Sequence, residues 1–143
     1  MILVDANLLL YAYFPGAQQH ERARAWLEVA LSSSEPVGLA WSTILAFLRI
    51  STNSRVFERP LSAAEAESVV SSWLAEPSVV LVEPGERYWA ILRTLLLDAQ
   101  VTGPLVSDAA LAALAIEHGA VLVTTDRDFA RFRGLRLLNP LQT

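Results

Sequence analysis

The sequence predicts an α/β fold, a three-layer sandwich in which a mainly parallel central sheet of about five strands is flanked by helices. Two observations predict it. Short aliphatic runs, often β-branched, alternate with longer segments whose apolar residues recur at helical spacing, so each strand is followed by a helical crossover. Aspartates then follow the first and fourth of those runs, at the carboxyl ends of strands where ligands gather in open parallel sheets.

The elements can be justified in chain order. Ile2 to Val4 is the first strand and delivers Asp5 at its end, and Leu8, Leu9 and Leu10 hold the following helix against the core. An ionised carboxylate stranded among aliphatic residues is costly, so Asp5 implies a compensating partner. His20 to Leu31 places Ala23, Leu27, Ala30 and Leu31 on one helical face, and the segment "SSSEP" terminates it. Val37 to Ala40 is the second strand. The mostly apolar helix from Ser42 to about Ser51 carries Arg49, whose charge requires a partner. Leu61 to Leu74 begins with Ser62 and Glu65 spaced as a capping box. Val79 to Val82 is the third strand and Pro84 to Asp98 a helix. Ser107 to His118 reads as a helix capped by Ser107 and stopped by Gly119. Val121 to Val123 is the fourth strand, and a short strand within Leu135 to Leu138 closes the sheet.

With 143 residues and 53% hydrophobic content, the chain reads as a single domain over residues 1–143 with a substantial core. No stretch reaches the roughly 18 uninterrupted apolar residues of a membrane helix, and no signal peptide is evident. A soluble cytoplasmic protein without membrane attachment is expected. Cysteine is absent, which excludes disulfides, zinc–cysteine clusters and thiol nucleophiles. All 11 basic residues are Arg, which excludes Schiff-base chemistry while retaining bidentate phosphate binders. The net charge of -4 argues against a nucleic-acid-coating protein but is compatible with a nuclease built around an acidic metal site.

Asp5, Asp108 and Asp126 come from three separate elements that can converge on one sheet edge. At about 4 Å and an effective dielectric of about 20, two such carboxylates repel by about 4 kcal/mol. A divalent cation relieves that repulsion. An oxygen-only donor set suits Mg²⁺ or Mn²⁺, usually held by one or two carboxylates together with water and substrate phosphates, and the chemistry it supports is hydrolysis of a phosphodiester. Each acid also has a structural reading: Asp108 can complement a helix dipole and Asp126 can cap the short helix in "TTDRDF". His20 and His118, at helix ends, read as structural. In "DRDFARFRGLR" the arginines and Phe129 and Phe132 either track a nucleic-acid strand or form a solvated face with buried aromatic anchors.

The segments "VDANLLLYAY", "HERARAWL", "FLRISTNSRVF", "SDAALAALAIEHG" and "TTDRDFARF", in this order along most of the chain, resemble the PIN-domain family, specifically the VapC-like ribonuclease toxins of bacterial toxin–antitoxin pairs. The resemblance implies a PIN-like sandwich, an acidic pocket for Mg²⁺ or Mn²⁺, endonucleolytic cleavage of RNA, a homodimer and a small cognate VapB-like antitoxin. By that likeness Asp5 and Asp108 are metal ligands, and Asp126 is the third catalytic acid. Asn7 is the polar residue after the first acid, and Asp128 is an occasional auxiliary acid. Asn7, Arg49 and Thr125 are the candidate substrate-binding residues. One departure stands out. Many relatives carry a glutamate early in the helix after the second strand, where this chain has Trp41 and no acid between Glu35 and Glu58. One formal negative charge is lost, which leaves open whether one metal ion binds or two.

The leading expectation is therefore a Mg²⁺-dependent endoribonuclease. An alternative is a PIN-fold module that binds RNA or protein without cleaving. A phosphotransfer domain is disfavoured, because it needs a Lys near the phosphoryl group and the chain has none.

Overall fold

The computed structural model describes residues 1–142. Five strands form one sheet: β1 (Ile2–Val4), β2 (Val37–Ala40), β3 (Val79–Val82), β4 (Val121–Val123) and β5 (Leu137–Leu138). Their order is β3-β2-β1-β4-β5, and every neighbouring pair is parallel. Six α-helices link them: α1 (Ala6–Tyr13), α2 (His20–Ser32), α3 (Trp41–Ser51), α4 (Ala63–Leu74), α5 (Tyr88–Asp98) and α6 (Leu105–Glu117). The expected sandwich and the four expected longer strands are present, and the fifth falls inside its expected window.

Strand alternation sorts the core into two layers. Leu3, Ala40, Val82 and Leu122 pack on one side against Leu92 and Leu95 of α5 and the alanine-rich face of α6. Val4, Leu39 and Val123 point the other way, onto α1 to α4. Leu8 and Leu9 are buried there as expected, and Trp73, Phe47 and Tyr13 meet edge to face at centroid distances of 4.7–5.8 Å. Each fully buried aliphatic or aromatic side chain contributes about 1.5–3 kcal/mol. Together these side chains fix the sheet that carries the site.

Four helix starts differ from the sequence reading, each for a local reason; α4 begins at Ala63, not Leu61, because Ser62 is its N-cap. α6 begins at Leu105, not Ser107. Gly103, at φ 62°, turns the chain into Pro104, whose αR conformation already starts the helix, so Ser107 lies inside the first turn and caps nothing. α5 begins at Tyr88, not Pro84, because the Glu117 carboxylate accepts the Gly85 and Arg87 backbone N–H groups at 2.8 and 2.9 Å and holds the segment as a loop. α3 begins at Trp41, one residue earlier than expected, directly from β2. The α4 capping box between Ser62 and Glu65 forms as read. Among the described residues, no helix is long and apolar enough to cross a membrane.

Candidate functional site

The site is built at the carboxyl edge of β1 and β4. Asp5 continues β1 beyond Val4, and its N–H donates to the Val123 carbonyl at 3.0 Å, extending the ladder by one residue. Its side chain then caps α1, with Oδ1 accepting from the Ala6 N–H at 2.8 Å. The other carboxylate oxygen accepts the Thr124 hydroxyl at 2.7 Å. Burial raises the Asp5 carboxyl above the usual range; the Thr124 and Ala6 hydrogen bonds work against this, and the Asp126 charge adds to it.

Thr124 is the organising side chain, and sequence reasoning missed it. It is buried, donates a hydrogen bond to Asp5 and accepts one from the Asp126 N–H at 3.0 Å. The adjacent Thr125 accepts from the Asn7 amide nitrogen at 3.0 Å. Asn7 is thereby oriented, while its buried Oδ1 has no hydrogen-bond partner. Leaving a buried carbonyl oxygen unsatisfied costs about 1–3 kcal/mol, which makes it an acceptor or ligand in waiting.

Asp126 has a structural role as well, accepting the Asp128 N–H at 2.9 Å to cap a 3₁₀ turn over Arg127–Arg131. That bond occupies one oxygen and leaves the other free. The Asp108 side chain, in the first turn of α6, makes no hydrogen bond among the described residues. Burial, then the charges of Asp126, Asp5 and Asp128, raise its carboxyl, with Arg131 opposing. The charges of Asp5, Asp126 and Asp128 thus all act on the Asp108 carboxyl. Asp128 is exposed and paired with Arg131 at 3.6 Å.

Arg49 is not brought there. It is exposed in the last turn of α3, eight residues and so roughly 12 Å along the axis from the end of the helix that abuts the sheet edge. Phe129 and Phe132 are buried anchors and are unavailable for stacking. Of the nearby arginines, Arg127 lines a cleft of about 330 Å³ with Thr125, Asp126, Asn139 and Gln142. The ring nitrogens of His20 and His118 each lie 2.8 Å from a backbone carbonyl, of Tyr11 and Glu83, in the structural role expected.

Among the described residues no three Asp, Glu or His side chains form a ready-made ligand set for one ion. A hard cation does not require three, since Mg²⁺ commonly takes one or two carboxylates and fills its octahedron with water and phosphate oxygens. Asp5 and Asp108, both held above their normal carboxyl range, together with the unsatisfied Asn7 oxygen, fit such an ion chemically.

The PIN domain family matches residues 2–135, which includes all of these acids. The chain belongs to the PIN-domain family. It is 46% identical over 140 residues to Ribonuclease VapC37 of Mycobacterium tuberculosis, covering 98% of this chain and 97% of that protein. Ribonuclease VapC43 of the same organism is 41% identical, with 99% and 96% covered. The structure of VapBC2 from Rickettsia felis bound to a promoter DNA fragment superposes with a TM-score of 0.70 at 17% identity over 97% of this chain and 98% of that one, a likeness of fold. The expected PIN architecture thus holds over residues 2–135.

Proposed function

We propose that this PIN-domain chain is a divalent-metal-dependent endoribonuclease toxin that hydrolyses RNA phosphodiester bonds and is neutralised by a cognate VapB-like antitoxin. The observation that carries the reading is the adjacency of the β1 and β4 ends that bear Asp5 and Asp126, whose charges also act on Asp108, in a chain 46% identical along almost its whole length to a protein named a ribonuclease. A non-cleaving module is not favoured, because all three acids are retained.

Asp5 and Asp108 would hold Mg²⁺ or Mn²⁺. When bound, such an ion lowers the pKa of a coordinated water and stabilises charge on a phosphoryl oxygen. Thr124 fixes the Asp5 carboxylate, so the ligand does not have to be ordered during the reaction. Asp126, with one oxygen free, orients the attacking water and takes its proton. The water oxygen bonds to phosphorus, the bond to the leaving sugar oxygen breaks, and that oxygen takes a proton from solvent water as it departs. Asn7, positioned by Thr125, directs its amide oxygen to the water shell or a ribose hydroxyl. Arg127 is the nearest cation for the flanking phosphate. Arg49, lying away from the acids, would contact more distant RNA or a partner.

A cytoplasmic homodimer is part of this reading, as is an antitoxin that presents Arg to Asp5 and Asp108, since the guanidinium fork matches carboxylates. Light scattering of the free chain should give twice the monomer mass of 15.7 kDa. The catalytic test is cleavage of single-stranded RNA with Mg²⁺ or Mn²⁺, by wild type and by Asp5→Asn and Asp108→Asn. Both variants should stay folded and lose at least about 100-fold in rate, more than the 10–100-fold typical of residues that only support a ligand. Cleavage that survives a chelator or either substitution would contradict the proposal.

A further inference from the structure

Two unlike clefts border the acidic edge. The one beside β4 and β5 is polar and holds Arg127. The other, about 400 Å³, lies where β2 and β3 end. Its floor is apolar and buried, formed by Ala40, Val82 and Leu114, and Trp41 and Tyr88 stand at its sides. Trp41 is 47% exposed, unusual for a tryptophan in the first turn of a helix that leaves a buried strand.

Register places this cleft against the acids. β1 and β2 pair Ile2 with Val37 and Leu3 with Gly38, so two residues further on Asp5 lies opposite Ala40. Trp41 is the next residue along that edge, one strand spacing of about 4.8 Å over from the Asp5 strand. The α6 helix that carries Asp108 also supplies Leu114 to the floor.

The lining selects among the parts of a nucleotide. No Arg lines this cleft, and the Glu83 carboxylate at its margin repels a phosphate. A flat group with apolar faces and polar edges fits, and base–aromatic stacking is the usual means by which proteins hold unpaired RNA. Tyr88, whose phenol is raised further above its ordinary pKa by burial and by the Glu117 charge, stays neutral and able to donate a hydrogen bond to a base edge. We infer that this cleft is a base-binding subsite in which one unpaired nucleobase beside the scissile phosphate stacks on the Trp41 indole. The inference rests on the RNA-cleaving reading above and adds what that site grips. Arg127 would then take the backbone on the other side of the acids, so the strand crosses the edge with its base on the β2–β3 side and its phosphate on the β4 side.

The test uses the full chain with Mn²⁺ and a short single-stranded RNA that the wild type cuts, remade with an abasic nucleotide at each position in turn. Trp41→Ala should lower kcat/KM by about 5- to 150-fold, the range of a lost base stack. Trp41→Phe should keep most of the activity. One abasic position next to the cut should depress the wild type by a similar factor while costing Trp41→Ala nothing further, the non-additivity of a shared contact. Equal kcat/KM for wild type and Trp41→Ala would overturn the subsite and leave the indole to a protein partner. A Trp41→Ala loss that adds to the abasic penalty at every position would also overturn it. If the wild type cuts no RNA while folded and metal-loaded, the ribonuclease reading falls as well, and the two failures are told apart.

Discussion

Asp108 carries a carboxyl raised by burial and by three neighbouring aspartates, with no hydrogen bond to offset it. Asp5 is raised too, by burial first. For an acid whose folded pKa lies above its unfolded value, the native state binds the extra proton, so the stabilising contribution is complete below the ordinary aspartate range and is lost as pH rises through the folded value. The metal-free protein should therefore melt at a lower temperature at pH 7 than near pH 5 in a buffered chelator. Asp108→Asn should flatten that dependence and raise the metal-free Tm at pH 7, since it removes repulsion and breaks no hydrogen bond. A melting profile in which Asp108→Asn lowers Tm at pH 7 would show that the carboxylate is held by partners. The three acids were legible in the sequence because aspartate is rare in this chain and falls at strand and helix ends. Thr124 was not, because its partner Asp5 is 119 residues away and a hydroxyl beside a strand end carries no signature. Thr124→Val should cost about 1–3 kcal/mol by leaving the part-buried Asp126 N–H unpaired, and should cut metal affinity about 10–100-fold by releasing Asp5. Denaturant titration and metal-binding calorimetry on the one variant separate the two effects.

At the scale of elements, the strands were read correctly because buried parallel strands are short unbroken aliphatic runs, a pattern that admits few alternatives. Helix starts were less legible. Ser107 looks like a cap, but Gly103 and Pro104 turn the chain first; Pro84 looks like a helix start, but a carboxylate 30 or more residues away claims the backbone there. That carboxylate, Glu117, is a second residue, after Thr124, that no local pattern revealed. It also meets His118 at 3.8 Å and leaves no room for a side chain at Gly85, where a Cβ would lie 2.8 Å from its oxygen. Glu117→Ala should cost about 1.5–3 kcal/mol, the value of hydrogen bonds to a charged group, seen as faster hydrogen exchange over residues 83–87. Unchanged exchange in that loop would mean that the loop is held by other contacts. Because Pro84 and Tyr88 line the cleft beside Trp41, the same change should weaken RNA cleavage more than it weakens metal binding.

For the whole molecule, the strand order β3-β2-β1-β4-β5 brings the two acid-bearing strand ends, β1 and β4, side by side at the centre of the sheet. Periodicity identifies strands but not neighbours, so this convergence was an expectation from the sequence and a geometric fact only in the fold. The net charge of -4 gives an RNA strand no general attraction. On the proposed reading, binding then depends on local features: a cation at the acids, Arg127 on one side and an aromatic cleft on the other. The claim that joins these scales is that Asp5 and Asp108 hold a divalent ion that cuts RNA. It is tested most directly by following single-stranded RNA with the purified chain in Mn²⁺, in chelator and as Asp5→Asn. Cleavage that requires the metal and falls at least about 100-fold in the folded variant is the predicted result. Equal cleavage in chelator, or by Asp5→Asn, would contradict it.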